Sequence, residues 1–222
     1  MKDSSIPDLS EEFALRAAGH EVVAGLDEAG RGAWAGPVCA GAVVLPLDCE
    51  ELPELLDGVR DSKLQSAGQR EALLPVIREV ALAVGVGSGK PAEVDLWGVV
   101  PATRLAMERA LVGLGSGVGA IVVDYLDLPG LDLPQRSLPK ADARCLSVAA
   151  ASIVAKVTRD RLMVALDEEY PVYGFAEHKG YGTQQHREAL GRLGPSGIHR
   201  VSWRPMRESW DNGSRVRLAE ND

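Results

Sequence analysis

The sequence predicts a mixed α/β fold, a sheet packed against helices, on three observations. Two short apolar runs lie close together early in the chain, on either side of a glycine-rich turn. Later, apolar strand-like segments alternate with helical patterns. The longest helical pattern, 146–169, carries the small residues Ala149, Ala150, Ala151 and Ser152 in succession, which permit close packing.

In chain order, residues 1–19 form an N-terminal extension, with Ser10-Glu11-Glu12 as a helix start. His20 to Leu26 is a short β-branched run that ends at Asp27. After Gly30-Arg31-Gly32, the stretch Val38 to Leu45 is a second strand, stopped by Pro46; the short separation predicts an antiparallel pair. Asp61-Ser62-Lys63 precedes a helix near Ala67 to Ala81, followed by a strand around Leu82 to Gly87. Ala92 to Leu114 has helical spacing interrupted by Gly98 and Pro101. Ala120 to Val123 is a buried strand ending at Asp124, and 125–139 is expected as a loop leading to Lys140-Ala141-Asp142. Thr183 to Leu193 is a further helix. The folded domain is expected to span 20–207, with a disordered tail at 208–222.

With 222 residues, 45% apolar and 25% charged, the chain can bury one substantial core without disulfides. No apolar run approaches the roughly 20 residues of a membrane helix. Met1 to Glu12 lack an apolar stretch of the secretory kind. Cys39, Cys49 and Cys145 are odd in number and form no CxxC pair, which suits reduced thiols and a cytoplasmic location. The net charge of -8 opposes a polyanionic partner, yet residues 1–139 hold 11 Lys/Arg against 21 Asp/Glu, and 140–210 hold 11 against 8. The basic side chains concentrate late in the chain, where a local basic face can guide a nucleic acid.

Gly30-Arg31-Gly32-Ala33-Trp34-Ala35 has the shape of a dinucleotide fingerprint, but a strand follows it where that fingerprint needs a helix. Gly87-Ser88-Gly89-Lys90 lacks the first glycine of a P-loop, and Pro91 replaces its Ser or Thr. His20, His178, His186 and His199 show no zinc spacing, and no nucleophile motif is present. The acids at strand ends are more informative. Taken singly, Asp27, Glu28, Asp124 and Asp142 are turn or cap residues. Jointly they can converge on one sheet edge, where such a cluster repels itself unless cations neutralise it. Oxygen-only ligands suit magnesium or manganese, and two ions can drive phosphodiester hydrolysis.

The segments Gly25-Leu26-Asp27-Glu28-Ala29-Gly30-Arg31-Gly32, Asp61-Ser62-Lys63-Leu64, Val122-Val123-Asp124, Lys140-Ala141-Asp142, Ala149 to Val157 and His178-Lys179-Gly180-Tyr181-Gly182-Thr183 resemble type 2 ribonuclease H, the bacterial ribonuclease HII family. The resemblance runs from residue 25 to about 205. It implies a ribonuclease H-like fold: a mixed five-stranded sheet flanked by helices, with a helical C-terminal portion. It implies that Asp27, Glu28, Asp124 and Asp142 hold two Mg2+ or Mn2+ ions. Water then attacks 5′ of a ribonucleotide, in RNA–DNA hybrids and in duplex DNA with embedded ribonucleotides, leaving a 3′-hydroxyl and a 5′-phosphate. Gly30, Arg31 and Gly32 would recognise the 2′-hydroxyl, Tyr181 would stack on the neighbouring sugar, and Lys63, Lys156, Lys179 and Arg200 would meet phosphates. The resemblance further implies a role in removing ribonucleotides from DNA. The protein is expected to be a monomer with no evident sliding-clamp motif. Gly98 stands where the family usually has Asn, and Tyr125 where it commonly has Gly.

Overall fold

The computed structural model describes residues 6–208 and 210. Five strands form one sheet. β1 (Val23–Ala29) and β2 (Val38–Val44) pair antiparallel, from Ala24 opposite Val44 to Ala29 opposite Cys39. β3 (Ala83–Gly89) flanks β2, β4 (Ala120–Asp124) runs parallel to β1, and β5 (Gln135–Leu138) runs parallel to β4, giving the order β3-β2-β1-β4-β5. The expected mixed five-stranded sheet is therefore present.

The helices include α1 (Ser10–Ala17), α2 (Leu52–Leu55), α3 (Ala67–Val80), α4 (Pro91–Trp97), α5 (Val99–Gly113), α6 (Leu146–Glu169), α7 (Phe175–His178) and α8 (Gln184–Leu193). Local chemistry sets several boundaries. Ser66 and Gln69 exchange hydrogen bonds in a capping box that starts α3. Gly98 separates α4 from α5 at φ 88° and ψ 165°, a conformation essentially restricted to glycine. Pro101 does not interrupt α5; it sits in the first turn, where its missing N–H costs no intrahelical bond.

Two further differences from expectation have simple causes. β5 lies inside the segment 125–139 that reads as a loop, because Gln135-Arg136-Ser137-Leu138 has no apolar alternation and owes its strand to pairing with β4. β1 continues through Ala29, so Asp27 and Glu28 lie within the strand rather than beyond it. The one-turn helices α2 and α7 are too short to leave a periodic signal.

The chain divides into two units. One comprises the described residues up to Ala29, with Cys39–Ser88 and Arg104–Thr158; the other comprises Gly30–Val38, Gly89–Thr103 and the described residues from Arg159 onward. In the first, α3 and the start of α6 bury Leu74, Ile77, Ile153 and Val154 against Val43 and Leu45. The N-terminal segment is tied into this unit: Asp8 bridges to Cys145, and Glu12 is fully buried. Glu12 Oε1 accepts the Ser147 amide at 3.0 Å and its hydroxyl at 2.6 Å, placing a carboxylate at the N-terminus of α6. The second unit has its own cores, around Phe175, Tyr173 and Met163, and around Trp34, Leu190 and Met206. Among the described residues no helix is long and apolar enough to cross a membrane. The expected tail lies outside the described residues, apart from 208 and 210.

Candidate active site

The first unit brings an acid centre onto the face of β1 that Gly25 leaves bare beside Asp27. Side chains alternate along a strand, so Asp27 shares its face with Gly25, and it pairs across the sheet with Gly41. That face meets α6. A Cβ on Gly25 would run into the backbone of Ser147 and Val148, and one on Gly41 into the carbonyl of Ala151. The run of small residues in α6 and these glycines thus let helix and sheet backbones touch beside Asp27. The parallel register sets Leu26 opposite Val123, so the next residues on the two strands, Asp27 and Asp124, are neighbours.

Asp27 is buried and accepts the Glu28 amide at 2.8 Å. Burial pushes its carboxyl well above the usual range, and the charges of Glu28 and Asp142 push in the same direction. Asp124 Oδ1 accepts the Ala141 amide at 2.9 Å; burial and the charge of Asp142 raise its carboxyl too. Asp142 itself sits in the 3₁₀ turn Ala141–Ala143 directly ahead of α6. Two left-handed residues shape this neighbourhood: Tyr125 at φ 60°, after Asp124, and Lys140 at φ 57°, before the 3₁₀ turn. Glycine, the residue that the resemblance leads one to expect at position 125, would adopt that conformation without strain.

Lys63 is the local counter-charge. Its Nζ lies 2.8 Å from Asp142 Oδ2 and 3.6 Å from Asp61. Desolvation acts to lower its pKa, but the Asp142 hydrogen bond and the charges of Asp27, Asp142 and Asp61 outweigh that and raise it. The Ser62 amide donates to Ser152 Oγ at 3.2 Å, anchoring the Asp61-Ser62-Lys63 turn on α6. Lys156 lies half-buried on the same helix.

The expected recognition residues lie in the second unit, one peptide bond along the chain from Ala29. Gly30 takes φ 90°, and a Cβ there would collide with the Arg159 side chain. Arg200 has no exposed surface: its Nη1 donates to the carbonyls of Arg31 and Ala33 and its Nε to that of Gly36, each at 2.9 Å. Expected as a phosphate partner, it is placed instead as a clamp on the turn. Arg159, also fully buried, donates to Pro37 at 2.9 Å and Ala35 at 3.2 Å, with its guanidinium carbon 5.2 Å from the centre of the Tyr181 ring. Tyr181 is half-buried, Arg31 likewise, and Gly32 has open space around it. Lys179, at φ 52°, donates to the Ala176 carbonyl.

Sequence reasoning assigned no role to Arg159 and favoured surface or substrate-facing roles for the histidines, but His178, His186 and His199 are buried. Their spacing matches no motif, and their significance comes from burial. Among the described residues no three His, Cys, Asp or Glu side chains are gathered as a ready-made metal cage. The donor chemistry nevertheless fits a hard divalent ion: oxygen donors only, carboxyls raised by burial and then by neighbouring carboxylates, and a single lysine ammonium against Asp142.

A family model described as ribonuclease HII matches residues 24–206. The chain is 52% identical over 204 residues to ribonuclease HII of Chloroflexus aurantiacus, covering 92% of this chain and 96% of that one. It is 56% identical over 188 residues to ribonuclease HII of Thermus thermophilus, covering 85% and 89%. Its structure resembles the crystal structure of ribonuclease H2 from Pyrococcus horikoshii with a TM-score of 0.72 at 31% identity, covering 87% of this chain and 99% of that one.

Proposed function

The chain belongs to the ribonuclease HII family, nucleases acting on RNA–DNA hybrids, and from that premise we propose that it cuts 5′ of a ribonucleotide, in hybrids and at single ribonucleotides within duplex DNA. Asp27, Glu28, Asp124 and Asp142 would hold two Mg2+ or Mn2+ ions. When bound, these supply an activated water and charge stabilisation for the leaving 3′-oxygen. The observation that carries the reading is that Asp27 and Asp124, following the paired residues Leu26 and Val123 on adjacent strands, both feel the charge of Asp142. Such a cluster raises its own free energy at neutral pH and gains by meeting cations.

The protein's residues have distinct tasks in this reading. The carboxylates would hold the ions, and with them would orient the reacting phosphate. Lys63, released from Asp142, offers its ammonium to a neighbouring phosphate, and Lys156 and Lys179 add to the same electrostatic attraction. The Gly30-Arg31-Gly32 backbone reads the 2′-hydroxyl, which needs close approach and hence no Cβ. Arg200 and Arg159 fix that backbone. Tyr181 stacks on the adjacent sugar, and the protein works as a cytoplasmic monomer.

The test is incision of duplex DNA carrying one ribonucleotide, with Mg2+ or Mn2+ and with a chelator. The expected result is metal-dependent cleavage leaving 5′-phosphate and 3′-hydroxyl ends. Cleavage of continuous hybrids with none at the single ribonucleotide would refute the specificity assigned here.

A further inference from the structure

The backbone around Tyr181 is held by histidines whose proton positions are dictated by their partners. His199 Nδ1 accepts the Ser196 amide at 2.8 Å, so the proton of the neutral ring resides on Nε2. That N–H faces His186 Nε2 at 2.9 Å, which must accept. The His186 proton is then on Nδ1, where it donates to the Tyr181 carbonyl at 3.0 Å. His178 completes the arrangement: it stacks on His186 with ring centres 4.3 Å apart, and its Nδ1 accepts the Gly180 amide at 3.1 Å. The chain Ser196–His199–His186–Tyr181 is directional, and each link fixes the next.

We propose that His186 and His199 are positioning residues for Tyr181: His186 ties down the Tyr181 carbonyl, and His199 keeps the His186 proton on the nitrogen that makes that bond. Both are buried, whereas the Tyr181 ring is partly open. The other anchors of the segment converge on the same purpose. The Trp34 amide donates to Gly180 O at 2.8 Å, and the Thr183 amide donates to Tyr181 O at 2.8 Å. The histidine link supplies the lateral bond that these backbone contacts lack. The proposal rests on the reading that Tyr181 meets the substrate.

The geometry makes a crossed prediction. At position 186 the bond to Tyr181 leaves from Nδ1, a place that an Asn amide reaches and a Gln amide overshoots. At position 199 the bond to His186 leaves from Nε2, which Gln reaches and Asn does not. On duplex DNA with one ribonucleotide, His186→Gln and His199→Asn are expected to raise KM about tenfold, the scale of one lost stacking contact. The kcat should change far less. His186→Asn and His199→Gln should stay within about twofold of the parent. A merely structural role would make Asn and Gln equivalent at each position once thermal stability is matched, and that result would overturn the proposal. Each position carries its own Asn and Gln pair, so one pair suffices if a variant at the other fails to fold. Tyr181→Ala separates the premise from the inference. If it leaves KM unchanged, the substrate role of Tyr181 falls and the proposal with it; if it raises KM while His186→Gln does not, the proposal alone falls.

Discussion

In the first unit Asp27 is buried among like charges: burial first, then Glu28 and Asp142, raise its carboxyl, and Lys63 is drawn against Asp142. In the second, Arg159 and Arg200 are buried at least as deeply, but their guanidiniums donate to backbone carbonyls and hold a turn in place. One region keeps a charge problem open, and the other closes it internally. The difference teaches where cations from outside belong. An acid cluster gains from them, whereas a turn braced by arginine must keep its shape without help.

The largest expected effect tests the open side. Asp27→Asn should lower kcat/KM about 100-fold or more, since several kcal/mol of transition-state stabilisation pass through the ions it would hold. Thermal unfolding of the metal-free variant should show stability equal to or above the parent; a clear loss would mean that Asp27 is needed for the fold and would erase the contrast. On the closed side, Arg200→Ala should destabilise by about 3 kcal/mol in denaturant unfolding, because buried carbonyls of Arg31, Ala33 and Gly36 lose their donor.

The two regions should also respond oppositely to pH. Asp27 and Asp124 have raised carboxyls, so the folded metal-free protein binds their protons more tightly than the unfolded chain. Their contribution is favourable below the unfolded carboxylate value and is lost as pH rises through the folded one. His186, lowered to about 4 by burial, and His199, lowered to about 3, behave in reverse. Their contribution is full above the unfolded histidine value and is lost as pH falls towards 4 and 3. Unfolding midpoints across pH, for the parent and Asp27→Asn, should separate the two slopes, with the carboxylate one diminished in the variant. The smallest effect concerns Tyr125, left-handed and 71% exposed. Tyr125→Gly should stabilise by about 1 kcal/mol, as the strain of a side chain at φ 60° is released. A loss of stability would show that the ring packs usefully.

Much of the sheet was legible, and the acids were singled out, because the apolar runs stop at Asp27 and Asp124, although β1 itself runs on through Ala29. What was not legible depends on contacts distant in sequence. β5 is a strand through its partner rather than its own residues. Arg200 reads as a surface cation, and only the fold reveals carbonyls of residues 31, 33 and 36 around it. The tautomers of His186 and His199 follow from Ser196 and Tyr181, at spacings that no motif records. Gly98, a departure from the family's usual Asn, became intelligible through its backbone angles.

The bare face of β1 bears on how this gene can drift. On the proposed reading of the site, a single base change that turns Asp27 into Asn would leave an intact but silent protein, able to persist in a population and be repaired by reversion. Any change that gives Gly25 or Gly41 a side chain meets the α6 backbone at once, and neither neighbour is a flexible group that can step aside. Lineages can therefore lose the chemistry and keep the scaffold, but they cannot vary these two glycines and keep either.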